Sequence, residues 1–282
     1  MGDRQKFTIL RATQDGEPFR VWAVSSIHGD LAAVSVQLRC VTRSGGAPKC
    51  KVALVSGGGS GHEPLHAGFV GKGMLDAACP GEVFTSPTPD QMLAAAESLG
   101  ATAGILFIVK NYAGDIMNFE MAAEMLGGDH ATVVTNDDVA VEDSLYTQGR
   151  RGVAGTVVVE KVVGAAAEAG ADLAVCKVLG DRVNAATGSM GIALTSCTVP
   201  AAGKPTFDLG ADEMEMGVGI HGEPGRRRVK MMTAEAIVAE MFQAITSSLK
   251  PKSGEPVILL VNGMGGTPLM GLYLVYNAER RV

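Results

Sequence analysis

The chain is poor in aromatic residues: Phe, Trp and Tyr make up 5% of its 282 residues, with a single Trp. It also lacks an excess of basic charge. Lys and Arg total 24 against 30 Asp and Glu, a formal net charge of −6. Nucleic-acid binding needs a basic face that neutralises phosphates, so that class of partner is excluded. An anionic membrane surface is no better a partner. The five cysteines, Cys40, Cys50, Cys79, Cys176 and Cys197, are odd in number and form no Cys-x-x-Cys pair. Reduced thiols of a cytoplasmic protein fit this better than a disulfide frame or zinc knuckle. No run approaches the roughly 18 apolar residues of a membrane span. The apolar stretch near the start is too short for a signal peptide.

Glycine, by contrast, is abundant. There are 37, with the excess in short clusters, and 46% of the chain is hydrophobic. That supports a core for one large or two modest domains. Clustered glycine suits loops where backbone approaches a ligand closely.

Residues 1–48 form an atypical N-terminal segment with β-branched patches such as Val21–Val24 and no concentrated chemistry. From Lys49 a pattern recurs: an apolar run enters a Gly-rich or polar loop. Lys51–Ser56 leads into Gly57–His62, and Gly104–Val109 into Lys110–Asp115. Thr132–Thr135 leads into Asn136–Asp138, and Val257–Val261 into Asn262–Pro268. Such runs predict buried strands. Helical stretches are predicted at 89–99, 116–126, 158–170, 172–183 and 233–249. Strands alternating with helices predict an α/β fold with mainly parallel sheets and flanking helices. Two α/β domains are expected, 49–185 and 186–282. In such folds ligands lie beyond the carboxyl ends of strands, so the polar loops become site candidates.

Gly57–His62 lacks the lysine of a phosphate-binding Walker loop and does not complete a Gly-x-Gly-x-x-Gly fingerprint. A loop bringing N–H groups and one imidazole to a small polar ligand remains. His62-Glu63-Pro64-Leu65-His66 copies the zinc-protease spacing, but that motif works only on a continuous helix. Pro64 and the preceding glycines deny it that context. In Lys110–Asp115, Asp115 is either a cap for the next helix or a carboxylate placed to accept a proton, with Lys110 donating a hydrogen bond. In Gly217–Gly225, His221 sits among four glycines, where an imidazole nitrogen can attack an electrophilic carbonyl. His28, His130, the acidic cluster Asp137, Asp138, Glu142 and Asp143, and Arg226–Arg228 carry blander readings: loop, cap and solvated surface.

Several segments together resemble one family: Gly57–Pro64, Gly81–Asp90, Lys110–Asp115, Asp137–Gly155, Cys197–Lys204 and Gly219–Gly225. They are similar to the DhaK-type substrate-binding subunit of dihydroxyacetone (glycerone) kinases, from about Lys49 to Tyr276. The resemblance implies that His221 holds dihydroxyacetone as a covalent hemiaminal. It implies that His62 and Asp115 handle protons and that Gly59, Ser60, Gly61, His62, Lys110 and Asp115 bind the substrate. It implies no cofactor or metal on this chain. ATP or ADP with Mg is expected on a nucleotide-binding DhaL-type partner, with a phosphoenolpyruvate-dependent phosphocarrier as a further partner the resemblance suggests. A cytoplasmic homodimer acting in glycerol metabolism is expected. The second domain is expected to be incomplete at its C-terminus. The alternatives are a non-catalytic dihydroxyacetone sensor or co-regulator, an inactive truncated homologue and, by motif alone, a zinc hydrolase.

Overall fold

The computed structural model describes residues 33–35, 39–43, 45–141, 148–199, 202–223, 225–264 and 266–281. The readings for 1–32, with His28, and those for Glu142 and Asp143 lie outside the described residues. The strands are β1 (Ala33–Ser35), β2 (Cys40–Thr42), β3 (Ala53–Ser60), β4 (Ala77–Val83), β5 (Ile105–Lys110), β6 (His130–Thr135), β7 (Ile192–Ala193), β8 (Glu213–Met216) and β9 (Arg227–Lys230). The α-helices are α1 (Pro89–Leu99), α2 (Ala113–Leu126), α3 (Gly155–Glu168), α4 (Leu173–Ala185), α5 (Ala234–Leu249) and α6 (Leu269–Glu279).

Six strands form one sheet in the order β1-β2-β4-β3-β5-β6. β3 runs parallel to both β4 and β5, and β2 is antiparallel to β4 and β1. The central strands carry buried apolar runs, Ala53–Val55 in β3 and Ile105–Val109 in β5, as expected for a sheet covered on both faces. Ala53, Val55, Phe107 and Val109 pack with Met92 and Ala95 of α1 and Phe119 and Ala122 of α2. Residues one step along the strands point to the opposite face. There Gly180 of α4 lies against Val133 of β6 and Val163 of α3.

Local chemistry explains the helix limits. Thr88 precedes Pro89, whose fixed φ suits a first helical turn, and the Thr88 N–H donates to Gln91 Oε1 at 3.0 Å. α1 stops at Gly100, which takes the left-handed conformation. Asp137 accepts from the N–H of Gly155 at 2.8 Å, tying down the first residue of α3.

The chain divides into two compact units. The first comprises residues up to Val109, Gly114–Val133 and Val159–Asp181; the second comprises Lys110–Ala113, Val134–Val158 and Arg182–Val282. The second contains the antiparallel sheet β7-β8-β9. Its core joins Met190, Met214, Met216 and Ile237.

One expected strand is absent. Residues 257–260 carry no strand, and Val257 and Ile258 are 73% and 82% exposed. An apolar run becomes a strand only where a neighbour pairs its N–H and C=O groups. Among the described residues no strand does so. Among them, too, no helix is long and apolar enough to cross a membrane.

Candidate active site

In the first unit, β3 carries Gly57, Gly58, Gly59 and Ser60 at its carboxyl end and releases the chain at Gly61. Ser60 Oγ donates to the Gly81 carbonyl at 2.6 Å, fastening this loop to β4. Gly61 N–H donates to Glu63 Oε2 at 3.0 Å, and Leu65 N–H to the His62 carbonyl at 3.0 Å. His62 is half-buried, and its ring lies flat on Phe84, with centroids 4.9 Å apart and planes 7° from parallel. The segment 61–66 consists of turns, so the zinc-motif spacing has no helix beneath it. His66 is instead buried, with Nδ1 2.6 Å from Glu160 Oε1 and 3.0 Å from Ser56 Oγ.

The sequence reading attributes the glycines of this loop to close approach of a ligand. At Gly59 and Gly61 the structure gives a different reason. A Cβ on Gly59 would lie 2.7 Å from the Phe84 carbonyl carbon, and one on Gly61 2.6 Å from the edge of the Phe84 ring. These positions are glycine because the turn after β4 lies on them.

Asp115 belongs to the same unit. α2 begins two residues earlier, so Asp115 sits inside the first turn instead of capping it. It is 3% exposed, and its Oδ1 has no hydrogen-bond partner among the described residues. A buried carboxylate oxygen without a donor is costly. A ligand hydroxyl that donates to it would remove that cost. The helix start is held by the turn after β4: Asn118 Nδ2 donates to the Pro87 carbonyl at 2.8 Å. Ser86 Oγ lies 2.9 Å from where a Cβ on Gly114 would stand.

The second unit holds Lys110 and His221. Lys110 ends β5 and is 1% exposed. The next residue, Asn111, is anchored three times: its N–H donates to the Thr135 carbonyl at 2.9 Å, and its Nδ2 to the carbonyls of Gln148 at 2.8 Å and Arg150 at 2.7 Å. Tyr112 then meets the His221 ring in a T, with centroids 4.7 Å apart.

His221 follows β8 in a tight loop closed on Glu223. The His221 N–H donates to Glu223 Oε2 at 2.9 Å, and His221 Nδ1 lies 2.9 Å from Glu223 Oε1. Burial pushes the Glu223 carboxyl up, but the hydrogen bond and charge of His221 outweigh it and leave the group below its ordinary value. An ionised Glu223 accepts, so Nδ1 carries the hydrogen, and in the neutral ring the lone pair is then on Nε2. A Cβ on Gly219 would lie 2.0 Å from Glu223 Oε2 and 2.5 Å from Arg151 Nη1, so only glycine fits there. Arg151 is fully buried; Nε donates to Asp138 Oδ2 at 2.8 Å and Nη2 to the Gly217 carbonyl at 2.7 Å. Its Nη1 has no partner among the described residues. Asp138 is pushed up by burial, which the charge of Arg151 opposes.

Sequence reasoning singles out His62, Lys110, Asp115 and His221. The structure places His62 and Asp115 in the first unit and Lys110 and His221 in the second. It adds the groups that hold them: Phe84, Tyr112, Arg151 and Glu223. Glu223 stood two residues beyond His221 and was available as a signal. The aromatic and arginine contacts cross long sequence distances and were not. The described members of the acidic cluster, Asp137 and Asp138, have structural roles. Asp137 accepts from Val153, Gly155 and Ser189, and Asp138 pairs with Arg151. No group of residues suited to a metal ion occurs among the described residues.

Comparison with known proteins places this geometry. Residues 23–282 match the Dak1 domain family. The dihydroxyacetone-binding subunit DhaK of PTS-dependent dihydroxyacetone kinase 1 from Listeria innocua is 51% identical over 272 residues, covering 95% of this chain and 82% of that protein. The dihydroxyacetone-binding subunit DhaK of the PEP-dependent kinase from Escherichia coli is 52% identical over 264 residues, covering 84% and 74%. Among solved structures, the dihydroxyacetone kinase operon co-activator Dha-DhaQ superposes with a TM-score of 0.81 at 34% identity, covering 86% of this chain and 76% of that one. The dihydroxyacetone kinase of C. freundii superposes with a TM-score of 0.77 at 35% identity, covering 92% and 46%. The chain therefore belongs to the Dak1 family, together with the dihydroxyacetone-binding subunits of dihydroxyacetone kinases.

Proposed function

We propose that this chain is the dihydroxyacetone-binding subunit of a dihydroxyacetone kinase, and that it holds its substrate on His221. The observation that carries the reading is the Glu223 contact to His221 Nδ1 at 2.9 Å, which leaves Nε2 as the nucleophilic nitrogen. Nε2 forms a bond to the ketone carbon. The carbonyl π pair moves to oxygen, which takes a proton. The ring gives its Nδ1 hydrogen to Glu223, which releases it to solvent in exchange for the proton the oxygen takes from solvent, so charge and protons balance. Fixing a small flexible triose in this way removes part of the entropic barrier to transfer. It also selects carbonyl compounds against glycerol, which has no electrophilic carbon.

Phosphoryl transfer then needs a base for the terminal hydroxyl, and His62 and Asp115 are assigned that role. Asp115 Oδ1, which has no hydrogen-bond partner among the described residues, supports it. Gly59, Ser60, Gly61 and Lys110 are assigned to substrate binding. In this reading residues 49–185 carry the proton-handling loop and residues 186–282 the covalent histidine. The phosphoryl group comes from a nucleotide-binding partner subunit recharged by a phosphoenolpyruvate-dependent carrier. The names of the PTS-dependent and PEP-dependent relatives support that source. The assembly is read as a cytoplasmic homodimer.

Native mass spectrometry with dihydroxyacetone tests the assignment. The wild-type chain gains the mass of one substrate, the His221→Ala chain does not, and glycerol adds nothing to either. Retention of the adduct and of full transfer by His221→Ala sinks the reading. A second reading is favoured by the likeness to the operon co-activator: a chain that binds the ketose and signals without transfer. Adduct formation with no phosphorylated product, in the presence of an active donor subunit, selects it.

A further inference from the structure

Phe84 stands in a conformation that its residue type resists. Its φ is +55°, in the left-handed region where a bulky non-glycine residue is a genuine outlier. The turn is held there by the Phe84 N–H, which donates to the Ser60 carbonyl at 2.9 Å, and by the Thr85 N–H, which donates to the Glu82 carbonyl at 3.0 Å. Those two bonds use backbone only. Glycine or asparagine would make both with less strain. What phenylalanine adds is the ring, which covers Gly61 and stacks on His62 at 4.9 Å. Strain of this kind persists where surrounding structure fixes it, and it concentrates at functional sites.

The mode of contact matters. A face-to-face partner restricts rotation of the imidazole about its bond to Cβ, yet it uses neither ring nitrogen. A carboxylate or carbonyl hook restricts the ring by consuming one nitrogen and fixing the tautomer. A histidine that must take up and release a proton benefits from the first arrangement. The same turn also reaches α2 beside Asp115, through Ser86 against Gly114 and through the Pro87 carbonyl, which accepts from Asn118 at 2.8 Å.

We infer that Phe84 is a positioning residue for His62: its ring sets the imidazole plane for proton transfer through a contact made with the ring face alone. The inference rests on the reading of His62 as a proton handler. Its test uses the full chain with its phosphoryl-donor subunit and dihydroxyacetone, in Phe84→Asn, Phe84→Tyr and Phe84→Trp. Asn suits the backbone and removes the ring; Tyr and Trp keep an aromatic face. The expected result for Phe84→Asn is an unchanged or higher melting temperature and an unchanged His221 adduct. The His62 ring-proton resonances, assigned by difference from His62→Gln, shift downfield as the ring current disappears. kcat falls about a hundredfold, the scale of a misplaced catalytic group, with KM unaltered. Phe84→Tyr and Phe84→Trp restore kcat.

Unmoved His62 resonances in Phe84→Asn overturn the stack, whatever the rates. Wild-type kcat in Phe84→Asn overturns its role. A kcat loss shared by all three variants, or one that follows a drop in melting temperature, reassigns Phe84 to the scaffold. A wild-type chain that forms no adduct and transfers nothing overturns the functional reading instead. In that case the resonance shift still decides whether Phe84 sets the His62 ring.

Discussion

His62 and His221 share a sequence signature: one histidine in a glycine-rich loop after a strand. They are held in opposite ways. His62 is gripped by its face, against Phe84. His221 is gripped by its edge, with Nδ1 on Glu223, and Tyr112 meets it in a T. A face grip orients a ring through a contact that uses neither nitrogen. An edge grip onto a carboxylate commits one nitrogen and turns the other into a fixed nucleophile. The support beneath differs too. The His62 turn leans on backbone bonds and a strained aromatic, whereas the His221 loop leans on a buried ion pair between Arg151 and Asp138. The same local sequence pattern therefore builds two chemically distinct tools, and the neighbours decide which.

The largest expected effect breaks the support on the His221 side. Replacing Arg151 with Met leaves the Asp138 carboxylate buried without its cation. Loss of one partner of a buried pair costs about 3–5 kcal/mol. Chemical denaturation should show a loss of that size, and a change below about 1 kcal/mol would remove the ion pair as the prop of this loop.

The next effect sharpens the contrast in grips. Glu223→Gln removes the carboxylate charge while keeping shape. Gln can present its amide N–H to the ring and favour the wrong tautomer. Adduct formation and transfer should fall by roughly a hundredfold or more, as when an orienting carboxylate is neutralised in a catalytic dyad. The same substitution should not disturb the His62 resonances. Equal adduct occupancy in native mass spectra would show that the edge grip does not create the nucleophile.

The carboxylate also sets a pH dependence. Folded Glu223 sits below the ordinary value of 4.5, because His221 outweighs the opposing effect of burial. A depressed carboxyl stabilises the fold above its unfolded value and loses that contribution as pH falls through the folded value. Hydrogen exchange at the His221 amide, which donates to Glu223, should stay slow from neutral pH down to the ordinary carboxylate range. Below that range its protection should weaken. The step should vanish in Glu223→Gln; its persistence would assign it to another group.

Much of this was readable in the residues, for physical reasons that also mark where reading stops. Pro89 and Gly100 bracket α1, so its limits follow from local chemistry. Val52–Val55 and Ile105–Val109 are continuous apolar runs, the mark of buried parallel strands. β4 escaped because Pro80 and Gly81 interrupt it and read as a loop. Residues 257–261 misled in the other direction: their pattern is strand-like, but pairing depends on a neighbour that a pattern cannot report. At the site, the glycine clusters flagged the loops, but the reason was incomplete. Gly59, Gly61 and Gly219 are crowded by Phe84, Glu223 and Arg151. Nothing in a phenylalanine after a strand announces a positive φ.

The smallest effect separates ring from hydroxyl at Tyr112. Its ring meets His221 at 84°, and such aromatic pairs are worth about 0.5–1.5 kcal/mol beyond the area they bury. Asn111 already fixes the backbone at this point through three hydrogen bonds. Tyr112 therefore adds orientation rather than attachment. Tyr112→Phe keeps the ring and should leave adduct occupancy unchanged. Tyr112→Leu loses it and should weaken the adduct by about two- to tenfold, the span those energies imply. Ring contact predicts the order wild type, then Phe, then Leu, with the gap at the second step. A gap at the first step would move the effect to the hydroxyl and leave Glu223 as the group that orients His221.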